Sequence, residues 1–164
     1  MRIGIVSAAV PLAGGGRRIA AALRAALTER NHRVETVLLP IDESADDLLQ
    51  QVMAYRLVEL DPQFDRVITV RPPAHVVRHR CKVVLIGHRT RSSLPDTRWA
   101  QALRAELERV DAAALREARA VYVRDRETAE RLRRGHARCE ALALPLTRAR
   151  RAIGWDAALE KLLA

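Results

Sequence analysis

One short segment concentrates groups able to do chemistry: Lys82-Val83-Val84-Leu85-Ile86-Gly87-His88-Arg89-Thr90-Arg91. His88 follows an apolar run directly, and an imidazole held there can donate to a substrate oxygen or act as an acid or base. Arg91 can clamp a phosphate or carboxylate through two parallel N–H bonds. The competing reading is a loop histidine and a solvated arginine. Gly14-Gly15-Gly16 offers backbone without Cβ atoms that a sugar, phosphate or nucleotide diphosphate can approach, with a helix start behind it that favours an anion. The spacing is not G-x-G-x-x-G and no Gly-Lys-Ser/Thr follows, so a dinucleotide or triphosphate site has little support and no cofactor is expected. His75, His79 and Cys81 have metal-ligand chemistry, but no second pair stands nearby and no His-Glu-x-x-His occurs, so no metal is expected. There is no Gly-x-Ser-x-Gly elbow to support hydrolase chemistry.

These residues must be positioned by the elements around them. Arg2 to Ser7 reads as a buried strand running into a glycine-rich turn at Gly14–Gly16. Ile19, Leu23 and Leu27 recur at spacing four and predict a helix over 17–30, closed by Asn31 in a left-handed cap. Further strands are expected at Val34–Leu39, Arg66–Val70, Lys82–Ile86, Ala120–Val123 and Glu140–Leu144. Helices are expected at Asp42–Leu60, with Ser44 as N-cap and Asp46 and Asp47 in its first turn, and at Thr97–Ala118. Pro72-Pro73 opens a short helix through His79, Asp125 caps another carrying Ala129 and Leu132, and Trp155, Leu159, Leu162 and Leu163 mark a last amphipathic one. Cys81 is read as a small apolar residue starting a buried strand, and Cys139 likewise as apolar.

Alternation at this spacing predicts an α/β fold: a Rossmann-like, doubly wound, mainly parallel sheet of about six strands with helices on both faces. Ligands of such sheets bind at the carboxyl ends of the strands. That edge collects Ser7 to Gly16, Arg71 to His75 with Pro72, Gly87 to Asp96 and Arg124 to Arg126. Gly14, Gly15, Gly16, Pro72, His88, Arg91 and Asp125 are therefore the candidate substrate-binding residues, and His88 is the candidate catalytic one.

The 164 residues suit one domain able to bury a core, and 49% hydrophobic content argues against disorder. No apolar run of about 18 residues exists to cross a bilayer, and the amino-terminal residues lack signal-peptide character. Two cysteines do not make a disulfide scaffold, so a reducing, cytoplasmic setting is expected. The net charge is +9, and all basic residues except Lys82 and Lys161 are arginine. This excess suits anionic lipid or nucleic acid, or simply an arginine- and alanine-rich composition. Aromatic residues at 3% leave few stacking platforms for single-stranded nucleic acid.

The order of segments carries a resemblance. The first strand with Pro11 and the glycine run, Glu29-Arg30-Asn31-His32-Arg33-Val34 and Phe64-Asp65-Arg66-Val67-Ile68-Thr69 before Pro72-Pro73 belong to it. So do Lys82 to Arg91, Asp111 to Ala118 leading into Val121-Tyr122-Val123, and Arg131-Leu132-Arg133-Arg134. Together, over residues 1–146, they resemble the N-terminal, acceptor-binding domain of a GT-B retaining glycosyltransferase of the large family 4. That resemblance implies a sugar or lipid acceptor bound by this domain and a nucleotide-sugar donor bound by a second one. Gly15 and Gly16 would lie near the donor diphosphate, His88 near the transferring sugar, and Arg91 in the acceptor pocket. Asp125 stands where the family usually has serine.

A donor domain would need roughly 150 further residues, with two glutamates eight positions apart. Glu35 and Glu43 have that separation but fall on the second strand and its loop. Residues 147–164 read instead as a linker and a helix, Gly154 to Leu163, that resembles the last helix of such enzymes, which packs back on the N-terminal domain. The expectation is an isolated or reduced acceptor half, a hexosyltransferase relative inactive alone, with the uncovered cleft face open to self-association. The alternative is a non-catalytic module docking on anionic membrane, at the inner membrane face, or on nucleic acid.

Overall fold

Residues Arg2–Ala9 form β1, which sends Ile3 and Ile5 to one face and Val6 and Ala8 to the other, all of them buried. A strand apolar on both faces needs cover on both, and the chain supplies it by alternating strands with helical crossovers. The computed structural model describes residues 1–9, 14–42, 47–86, 98–123, 126–133, 139–142, 144 and 154–164. Within them β2 (Arg33–Pro40), β3 (Arg66–Arg71), β4 (Lys82–Ile86), β5 (Ala120–Val123) and β6 (Cys139–Ala141) join β1. All pairs are parallel, in the order β2-β1-β3-β4-β5-β6. The expected doubly wound, Rossmann-like α/β sheet is what forms.

The helices are α1 (Gly14–Glu29), α2 (Leu48–Tyr55), α3 (Arg98–Arg116), α4 (Arg126–Arg133) and α5 (Asp156–Leu163). Ile19, Leu23 and Leu27 of α1 pack with Ile3, Ile5, Ile68, Val83 and Leu85, and Leu159 and Leu162 of α5 join the same cluster. On the opposite face Val52 and Tyr55 of α2 and Leu107 and Ala114 of α3 cover Val6, Ala8 and Val67. Ala129 of α4 packs there too, against Val121, Val123 and Cys139. This division follows from right-handed crossovers: β1 to β2 moves one way along the sheet, and every later connection moves the other.

Two local devices fix the start of the fold. Asn31 adopts φ 61°, and the amides of Asn31 and His32 donate to the carbonyls of Thr28 and Leu27 at 2.9 and 3.2 Å, closing α1 as expected. Gly4 lies under the ring of Phe64 so closely that a Cβ there would stand 2.8 Å from Cδ2.

The elements depart from the sequence reading in four places. Gly14–Gly16 are the first turn of α1, not a turn before it. The second helix is confined to Leu48–Tyr55, with Asp47 as its N-cap and Gln51 donating to the Asp47 carboxylate at 2.7 Å. Ser44 and Asp46 lie outside the described residues. After Pro72-Pro73 there is a single 3-10 turn, Ala74–Val76, because Val77 returns to extended backbone. The sixth strand is Cys139–Ala141; Leu142 and Leu144 leave it to fill the core beneath α1 and α5.

α5 is tied down by polar contacts as well as leucines. Asp156 at its start pairs with Arg30, while near its end Arg66 Nη1 donates to the Leu162 carbonyl at 2.7 Å. Tyr122 donates to the Lys161 carbonyl at 3.0 Å, and Lys161 Nζ reaches Glu140 at 2.8 Å. A guanidinium on the last carbonyls of a helix satisfies an orphan acceptor and complements the negative end of the dipole.

Candidate functional site

The strand order reverses between β1 and β3. From β1 the chain leaves through α1 toward β2; from β3 it leaves in the opposite direction toward β4. A crevice opens where neighbouring connections diverge, at the carboxyl ends of those two strands. Ser7, Ala8 and Ala9 end β1 there, and Arg71 ends β3, followed by Pro72 and Pro73. Ser7 is in register with Arg71, after an irregularity that skips one residue of β3 between Val6 and Ser7. Such a shift re-aims side chains at the end of a strand.

Three kinds of polar group converge on this edge. The first-turn amides of α1, at Gly14–Gly16, have no intrahelical acceptors and carry the positive end of the helix dipole. Ser7 is 1% exposed, and among the described residues its hydroxyl has one bond, long at 3.4 Å, to the Ala8 carbonyl. Arg71, half-buried, brings a guanidinium to the end of a central strand. One step deeper, Thr69 is buried and its Oγ1 has no hydrogen-bond partner among the described residues. Helix-start amides, a hydroxyl and a guanidinium are groups suited to an anionic or hydroxyl-rich partner.

Of the residues expected in the site, Gly14, Gly15, Gly16 and Pro72 are brought to this edge, the last buried beside Pro73. His88, Arg91 and Asp125 lie outside the described residues. Ser7, Thr69 and Arg71 were not singled out individually. Their signal was available: Ser7 and Thr69 are polar residues interrupting the otherwise apolar runs Ile3 to Ala9 and Val67 to Val70, and Arg71 closes the second of them.

The two histidines with metal-ligand chemistry are engaged in holding the fold. His75 Nε2 lies 2.9 Å from Asp111 Oδ1, and His79 accepts the Cys81 amide at Nδ1 while its Nε2 donates to the Phe64 carbonyl at 3.0 Å. Among the described residues no group of three His, Cys, Asp or Glu side chains is arranged to hold a metal ion. Cys81 is half-buried just before β4; the fully buried residue is its neighbour Lys82.

Lys82 is 0% exposed, and its ammonium donates to the carbonyls of His75 and Val77, both at 2.9 Å, with Glu117 Oε2 at 3.8 Å. Burial lowers its pKa to about 8, against the opposing pull of Glu117 and with Arg56 adding to the lowering. Burial pushes the Glu117 carboxyl up, but its hydrogen bond to Arg56 and the charges of Arg56 and Lys82 outweigh this and leave it below its ordinary value. This cluster sits at the amino end of β4, the opposite end of the sheet from the crevice. It fastens the Pro72–Cys81 connection to α3.

No protein-family model matches the chain, and no curated protein matches it in sequence. Among the described residues no helix is long and apolar enough to cross a membrane.

Proposed function

We propose that these residues form the acceptor-side domain of a GT-B-type glycosyltransferase, similar to family 4, acting with a nucleotide-sugar donor held by a second domain. The observation that carries the reading is the switch point between β1 and β3, with Ser7 in register with Arg71 at their carboxyl ends and α1 opening on Gly14–Gly16 after β1. In this role Arg71 and the α1 amides hold an anionic or polyhydroxylated acceptor, and the glycines leave room for the donor diphosphate to approach from the other side. The return of α5 to the α1 face of the sheet adds support, because the terminal helix of such enzymes makes the same excursion.

Sugar transfer requires donor and acceptor in one geometry, so the purified chain is expected to give no turnover with nucleotide sugars. In amide NMR, sugar phosphates should shift Ser7–Ala9, Gly14–Gly16 and Arg71 more strongly than the unphosphorylated sugars do. Robust transfer by this chain alone, or shifts mapping to the amino ends of the strands, would refute the reading.

A further inference from the structure

The outer side of β2 is open: among the described residues no strand pairs with it beyond β1. Beside it runs an equally open groove against the flank of α1, lined by Arg17, Ala21, Arg24, Ala25, Thr36 and Leu38. Leu38 is 45% exposed there, and the alanines leave the helix flank shallow. An exposed strand edge is a template for another strand; Arg33 and Pro40 stand at the ends of this one, and Glu35 falls on the face away from α1.

The pattern is self-complementary. Val34, Thr36 and Leu38 face α1, as the packing of Val34 on that side and of Val37 on the other shows. An antiparallel pairing of β2 with a second β2, centred on Thr36, sets Val34 opposite Leu38 and Thr36 opposite Thr36, on the same face. α1 lies alongside, about 24 Å long against about 26 Å for β2, so one axis passes near the middle of both. The same two-fold turns the α1 helices antiparallel across the joint, with Ala21, Ala25 and the exposed Arg24 near the axis. Arg17 lies at one end of this flank and Glu29 at the other, both exposed, and neither has an ion-pair partner among the described residues. The rotation places each Arg17 opposite the Glu29 of the other copy. A membrane would gain from Arg17 and Arg24 but meet Glu29 on the same rim, whereas a second copy pairs Glu29 with Arg17, so the observations favour a second copy of the chain.

We propose that the β2 edge and the α1 flank form an isologous interface through which two copies of this chain associate, joining their sheets into one continuous sheet. This surface is separate from the crevice at the carboxyl ends of β1 and β3, and dimerisation does not depend on the function proposed for that crevice.

Sedimentation equilibrium of the purified chain should give the mass of two copies. Leu38→Lys and Arg17→Glu, both at exposed positions, should each shift it toward one copy with the circular dichroism unchanged. Arg17→Glu should weaken association about tenfold or more, since the symmetry counts each lost pair twice. Arg17→Glu combined with Glu29→Arg should restore the dimer. A monomeric wild-type chain, a dimer indifferent to Leu38→Lys, or a double variant no better than Arg17→Glu would overturn the proposal. So would binding of the monomer to phosphatidylserine vesicles that these same substitutions abolish, which would assign the face to a membrane.

Discussion

Lys82 gives the fold a pH dependence that can be worked through from its surroundings. Its ammonium has no exposure to water, and its pKa falls from 10.5 to about 8. Between those two values the unfolded chain holds a proton that the folded chain has released, so stability rises with pH across that window. Below pH 8 the full cost of keeping the charge buried is present, about 3 kcal/mol at about 1.4 kcal/mol per pKa unit. From pH 7 to pH 9.5 the relief amounts to about 2 kcal/mol. The perturbation is Lys82→Met, which keeps the length and apolar stem of the side chain but removes the titrating group. At pH 7 the variant escapes the burial cost and orphans the carbonyls of His75 and Val77, each worth about 1–3 kcal/mol, so the net change there is small or moderately destabilising. The assay is urea unfolding of both proteins at several pH values from 7 to 9.5. Every other titrating group is common to the two, so the difference isolates Lys82. The variant should lose about 2 kcal/mol relative to wild type across the range. A flat difference would show that Lys82 keeps an ordinary pKa and that the burial argument is wrong.

Gly4→Ala should cost about 1–3 kcal/mol in urea unfolding, because the new Cβ meets the ring of buried Phe64 at 2.8 Å; unchanged stability would mean the ring is free to move. Leu159→Ala, at a position 1% exposed between α5 and the sheet, should cost about 2–5 kcal/mol, and a loss well under this range would show that α5 is only loosely seated. Thr69→Val should stabilise by about 1 kcal/mol, since it replaces a buried hydroxyl without a partner by a methyl of the same shape; destabilisation would reveal a bond to that hydroxyl.

The sheet was legible because its strands are short runs of β-branched residues with sharp ends: Lys82–Ile86 and Ala120–Val123 form at the residues their composition indicates. Asn31 was legible for a stereochemical reason, since few non-glycine residues accept φ 61°. Local pattern failed where tertiary contacts decide. Glycine disfavours a helix interior, so Gly14–Gly16 read as a turn; their place at the helix start, where the orphan amides face the crevice, makes them helical. The residues after Tyr55 have helical composition, yet Glu59 bridges to Arg78 and the chain leaves the helix. Lys82 escaped notice because a lysine opening a strand normally reaches solvent, and only the return of the Pro72–Cys81 segment over it closes that route. In the candidate site the glycines and Pro72 were found by type and position, whereas Ser7, Thr69 and Arg71 needed the register of β1 on β3 to be seen together.

The two ends of the sheet are built for different work. At the amino ends charge is engaged: buried Lys82 on two carbonyls and Glu117, buried Arg66 on the end of α5, and the half-exposed Asp65 on the Arg2 amide at 2.7 Å. The ties of Lys82 to Glu117, Arg66 to Leu162 and Asp65 to Arg2 join segments far apart in sequence, and together they hold α3, α5 and three strands in one arrangement. At the carboxyl ends the polar groups are underused instead: a helix start without acceptors, a serine with one long bond, a threonine with none among the described residues. Buried polar groups left in that state cost stability until a partner reaches them. Under the proposed function, a ligand in the crevice would complete those bonds. Occupation of the crevice should therefore raise the unfolding free energy while leaving the pH dependence set by Lys82 untouched, because the two sites lie at opposite ends of the same strands.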